Sequence, residues 1–171
     1  MANATGAAVQ GADSLAERIA GKYLTFALAE EEYGLEILRV REIIGMMEIT
    51  PVPKTPEFVL GVINLRGKVI PVIDLRLKFG LPYKDPDERT CVIVAEVQHE
   101  GSTVQMGIVV DRVNEVVDVK ASDVEPTPSF GVSLDTTFIL GMAKVGEKVK
   151  ILLDVDRVLT GSEMSTLSAG F

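Results

Sequence analysis

The stretch Tyr33-Gly34-Leu35-Glu36-Ile37-Leu38-Arg39-Val40-Arg41-Glu42-Ile43-Ile44 returns 73 positions later as Met106-Gly107-Ile108-Val109-Val110-Asp111-Arg112-Val113-Asn114-Glu115-Val116-Val117. Both read Gly-aliphatic-x-aliphatic-x-Arg-Val-x-Glu-aliphatic-aliphatic. Outward from it, Ile49-Thr50-Pro51-Val52-Pro53 resembles Val124-Glu125-Pro126-Thr127-Pro128. Phe58-Val59-Leu60-Gly61 matches Phe138-Ile139-Leu140-Gly141, now 80 positions apart. Lys68-Val69 with Lys148-Val149, and Asp74-Leu75 with Asp154-Val155, keep that spacing. Matches that keep the same order and drift only through loops indicate a duplicated unit. The polar, Pro-bearing stretch Leu81-Pro82-Tyr83-Lys84-Asp85-Pro86-Asp87-Glu88 reads as the boundary.

The unit is mostly β. Tyr23 to Leu28 and Tyr33 to Ile37 flank an acidic turn at Glu30-Glu31-Glu32, and Cys91 to Val97 and Thr103 to Val110 flank Glu100-Gly101. Val69 to Ile73 carries Pro71, which predicts an edge strand or a bulge. Helical signals are short: Thr55-Pro56 places a cap before Pro, and Asp74 to Gly80 starts and stops with capping residues. Ser14-Leu15-Ala16-Glu17 has capping-box spacing, but about two turns favour a frayed tail. A half of about seventy residues has a marginal core alone. Two such units are expected to curl into barrels, pack together and leave a groove for a partner.

Composition excludes several classes. The 171 residues are 47% hydrophobic and 25% charged, with 17 Lys and Arg against 25 Asp and Glu, a net charge of −8. That sign, with no basic run, argues against nucleic acid and anionic membrane partners. One Cys (Cys91) and one His (His99) leave no intrachain disulfide and no closed Cys/His zinc site. His99 reads as an exposed turn residue. Phosphate-loop, nucleophile-elbow and zinc-helix motifs are absent, so no enzyme, metal or cofactor is expected. Asp74, Asp111 and Asp154 recur at repeat positions and read as caps and turns. Neither a signal peptide nor a membrane helix is visible.

Asn64-Leu65-Arg66-Gly67-Lys68 reads as a hairpin turn whose Arg66 is flanked by aliphatics. The second half has Lys144-Val145-Gly146-Glu147-Lys148 there, so the fold alone does not require an arginine. Glu42 is its expected carboxylate partner, since an unpaired cation among apolar groups is costly. Val40 and Val113 hold equivalent places in the two halves, and with Ile43 and Val109 they are expected at the junction of the halves.

The Tyr33 to Ile44 run, Gly61-Val62-Ile63-Asn64-Leu65-Arg66-Gly67 and Val69-Ile70-Pro71-Val72-Ile73-Asp74-Leu75-Arg76 resemble the bacterial chemotaxis coupling proteins of the CheW family. The similarity runs from about Lys22 to Thr160. It implies an all-β fold of two SH3-like five-stranded β-barrel subdomains packed together, with short helices. The expected organisation is a flexible tail (1–21), a first barrel (about 22–80), a linker (81–89), a second barrel (about 90–160) and a C-terminal tail (161–171). It also implies a cytoplasmic, non-catalytic adaptor joining the cytoplasmic tip of methyl-accepting chemotaxis receptors to the regulatory domain of the histidine kinase CheA. Carried over by position, Val40, Glu42, Ile43, Arg66 and Val109 are the receptor-binding candidates. Ile49, Thr50, Val52 and Gly61 are the kinase-binding candidates. An adaptor for another receptor array, such as one for pilus-based motility, and a small-ligand-binding double barrel are the alternatives. The second predicts convergent polar groups at the junction, where the sequence places aliphatics.

Overall fold

The computed structural model describes residues 15–125 and 136–170, with side chains to residue 167. Helix α1 (residues 15–19) leads into β1 (Gly21–Leu28) and β2 (Glu31–Glu36). A 3-10 turn (Ile37–Arg39) precedes β3 (Val40–Gly45), β4 (Val59–Leu65), β5 (Lys68–Asp74) and α2 (Leu75–Lys78). Then come β6 (Cys91–His99), β7 (Ser102–Val110), β8 (Arg112–Val119), β9 (Val124–Glu125), β10 (Ile139–Val145), β11 (Lys148–Leu153) and α3 (Gly161–Gly170).

The strands form two sheets, ordered β8-β1-β2-β11-β10-β9 and β3-β6-β7-β5-β4. The all-β, two-unit reading holds. The strand pairing divides the chain differently from its two halves, however. The β1–β2 hairpin of the first half pairs with β8 and β11 of the second. The β6–β7 hairpin of the second half pairs with β3 and β5 of the first. Each half therefore donates its leading hairpin to the other half's unit. The expected contiguous barrels are replaced by an exchanged pair, and residues 81–89 join two strands of one sheet. Pro71 lies in an internal strand, one residue before the β5–β7 ladder of Val72–Asp74 begins.

The duplication is visible atom by atom. The amide of Asp74 donates to Phe58 O and that of Asp154 to Phe138 O, at 2.7 and 2.8 Å. Oδ1 of each aspartate accepts the amide two residues on, at Arg76 and at Asp156. These carboxylates are caps, as their repeat positions imply. The predicted helix at Thr55 is instead a turn, with the Val59 amide donating to Pro56 O at 3.0 Å. Gly34 and Gly107 are equivalent, and each faces a parallel neighbour. A Cβ on Gly34 would sit 3.1 Å from Leu152 Cδ2, and one on Gly107 would sit 3.1 Å from Val72 Cγ2.

Three cores follow from strand alternation. In β6, Ile93, Ala95 and Val97 face the core between the sheets, while Val92 and Val94 face one enclosed by β3–β7. The other unit has its own core around Tyr23, Val117, Val119 and Leu152. Strands buried on both faces explain the unbroken apolar run Cys91 to Ala95. Two stretches read as tails help fill these cores. Ile19 is buried and its carbonyl accepts the Tyr23 hydroxyl at 2.6 Å. Met164 and Leu167 on α3 are buried in the core between the sheets. Ser14, and the second-half match Pro126 to Pro128, lie outside the described residues. No helix of the described residues is long and apolar enough to cross a membrane.

Candidate docking surface on the β3–β5 unit

The four hairpins turn on two residues each. In the β4–β5 hairpin, Leu65 pairs with Lys68, leaving Arg66-Gly67 as the loop. Both loop residues have positive φ, 53° and 86°. Asn64 Oδ1 accepts the Gly67 amide at 2.8 Å and fixes the turn. A non-glycine side chain in left-handed backbone costs on the order of 1 kcal/mol. The β10–β11 hairpin places Gly146 at the equivalent position, with φ 73°. The fold thus accepts glycine there and does not itself require the arginine.

That side chain reaches Glu42 on β3. Arg66 Nη2 donates to Glu42 Oε1, closing an ion pair across the face of the unit. The hydrogen bond and the charge of Glu42 raise the Arg66 pKa further, so the guanidinium stays protonated. Arg66 is 71% exposed and Glu42 30%, so the pair sits on the rim of the unit. Beside it lies an open depression of about 360 Å³, whose walls include Arg41, Lys68 and Gln105. Ile43 is 43% exposed on the same strand. Val40 is half-buried against the core between the sheets.

The second candidate group forms another patch of the same unit. The Thr50 amide donates to Val62 O and the Val62 amide to Thr50 O, at 2.8 and 2.9 Å. This clamp needs Gly61: its φ is +143°, and a Cβ there would sit 2.0 Å from Thr50 O. Gly61 therefore supports the Thr50–Pro51 backbone and cannot itself be a contact. Thr50 is exposed, Val52 is half-buried, and Ile49 packs against the core of the unit.

A family model described as a CheW-like domain matches residues 22–163. Chemotaxis protein CheW of Klebsiella aerogenes is 42% identical over 149 residues, covering 87% of each chain. The chain belongs to the CheW family. Chemotaxis protein CheW of Rhizobium meliloti is 33% identical over 140 residues, 82% of this chain and 88% of that one. The crystal structure of scaffolding protein TtCheW from Thermoanaerobacter tengcongensis superposes with TM-score 0.74 at 38% identity, covering 85% of this chain and 98% of that one. Like its CheW relatives, the chain is a non-catalytic chemotaxis scaffold, and the ligand-binding double barrel is not favoured.

Two residues depart from the expected map of this CheW-family surface. Val109 is 8% exposed and packs with Val72 and Val92 inside the β3–β7 unit. Strand parity is the reason: Met106, Ile108 and Val110 take the junction face of β7, so Val109 points the other way. His99 ends β6 with its side chain 15% exposed, its Nε2 3.3 Å from Ser165 Oγ on α3. Sequence reading also missed Leu38 and Val69, 89% and 57% exposed. Leu38 carried a signal, since its repeat twin is the charged Asp111.

Proposed function

We propose that the chain couples the cytoplasmic tips of methyl-accepting chemotaxis receptors to the regulatory domain of the histidine kinase CheA, in the cytoplasm and without a cofactor. The receptor site is the rim formed by Val40, Glu42, Ile43 and Arg66. The kinase site is the clamped segment Ile49, Thr50 and Val52, with Gly61 beneath it. The observation that carries this reading is Arg66 in left-handed backbone, paired to Glu42, where the other half has Gly146. A helical receptor tip presents apolar anchors every three or four residues, which suits Ile43 and Val40 beside an orienting ion pair.

Co-sedimentation of the full chain with a receptor cytoplasmic fragment and with the CheA regulatory domain tests the reading. Wild-type protein is expected to pellet with both. Arg66→Glu should lose the receptor and keep the kinase, and Val52→Asp should do the reverse. Loss of both partners by a variant that melts like wild type would overturn the division into two sites.

A further inference from the structure

We propose that Lys54 is a contact residue of the kinase-binding segment, a cation carried on a fixed backbone turn to meet a carboxylate on the partner. The proposal rests on the reading of Ile49–Val52 as that segment and deepens it. Lys54 has φ 63°, in the region where a turn ordinarily places glycine. It follows Pro53, and the turn is closed by the Thr55 hydroxyl donating to Val52 O at 2.9 Å. Proline fixes the backbone before it and the hydroxyl fixes the backbone after it. The Lys54 side chain is exposed and makes no hydrogen bond or ion pair among the described residues.

Each of these features is neutral or costly for the isolated fold. Glycine would relax the backbone, and no internal hydrogen bond or ion pair of the side chain would be lost. The other left-handed non-glycine residues have plain roles. Ala29 and Glu100 hold corresponding turns of the β1–β2 and β6–β7 hairpins, and Arg66 pairs with Glu42. Lys54 is the one of the four that lies outside a two-residue hairpin turn. It stands two residues beyond Val52, so an apolar contact and a cation would meet one partner surface. An exposed ammonium at that place offers a carboxylate of the partner its complement.

The test measures binding of the full chain to the CheA regulatory domain at low and at physiological salt, with melting temperature read on each variant. Lys54→Gly should melt at or above the wild-type temperature and bind roughly three- to tenfold more weakly. Lys54→Glu should bind more weakly still, and Lys54→Arg should bind like wild type. The salt dependence of binding should be shallower for Lys54→Gly than for wild type. Wild-type binding by both Lys54→Gly and Lys54→Glu, with Val52→Asp impaired, overturns the role of Lys54 and leaves the segment assignment standing. If Val52→Asp also binds normally, the segment assignment fails with it.

Discussion

Single residues divide here into those that shape a surface and those that present it. Glu42 and Arg66 present it. Glu42→Arg and Arg66→Glu should each weaken receptor binding about tenfold while the melting temperature stays near wild type, because the pair is solvent-exposed. The exchanged double variant should regain part of that binding. Receptor pull-down by both single variants at wild-type level would remove the pair from the site. Gly61 shapes the surface. Gly61→Ala forces a methyl into the Thr50 carbonyl, at a cost of about 2 kcal/mol or more, hence a fall of about 4 °C or more in melting temperature. Kinase binding should fall with it, since the clamp holding Thr50 and Val52 is broken. The Arg66–Glu42 pair was legible because the repeat exposed an arginine with no twin. The role of Gly61 was not, because a backbone passing so close that a Cβ would lie 2.0 Å from the Thr50 carbonyl oxygen leaves no trace in sequence pattern.

At the scale of elements, strands were legible and the ends of the chain were not. Strands announce themselves by apolar runs between turn residues. Helix α3 does not, because only Met164 and Leu167 of its described side chains are buried and the rest are small or polar. It is held by chemistry at its start. The Glu163 carboxylate accepts from Lys78 Nζ at 2.7 Å and from the Thr160 amide at 2.7 Å, and the Glu163 amide donates back to the Thr160 hydroxyl at 3.2 Å. Burial pushes the Glu163 pKa up, but the Lys78 and Thr160 hydrogen bonds outweigh it, so the group titrates below its usual 4.5. A depressed folded pKa adds stability that is present above the unfolded value and is lost as pH falls through the folded one. Glu163→Gln should therefore cost about 1–2 kcal/mol at neutral pH, and the gap to wild type should close on acidification below about pH 4. A gap that persists unchanged in acid would show that the charge on Glu163 is not what anchors α3.

At the scale of the whole molecule, the exchange of hairpins is what the sequence concealed. When two halves share one pattern, β1 fits beside β3 or β8 by the same alternation, so the repeat is silent on which it chooses. The side chains at the crossovers carry the record instead. Asp111, between β7 and β8, accepts from Arg76 Nη1 at 2.6 Å and from the Ala29 amide of the β1–β2 turn at 2.8 Å. On the other side Asp156, after β11, pairs with Arg39 of the β2–β3 crossover and accepts the Gln98 amide of β6 at 2.7 Å. Asp156 is the repeat twin of Arg76, and Arg39 stands one position beyond Leu38, the twin of Asp111, so the two latches lie at nearly corresponding places with the charges reversed. Each ties one unit's post-strand turn to a crossover and to the hairpin that the same half donates to the other unit. The Arg76–Asp111 latch is the more enclosed, with side chains 15% and 11% exposed against 21% and 31% for Arg39–Asp156. Arg76→Ala should accordingly cost about 2 kcal/mol, a fall of about 4–8 °C in melting temperature, and Arg39→Ala about half of that. Arg76→Asp should be worse than Arg76→Ala, because it sets two carboxylates against each other beside the Ala29 amide. Adding Asp111→Arg should recover stability only in part, since an arginine at 111 cannot accept that amide. Thermal melts of the four variants read the order directly. Equal losses for Arg76→Ala and Arg39→Ala would mean that enclosure does not set the strength of the latch, and full recovery by the double variant would mean that the hairpin amide contributes nothing to it.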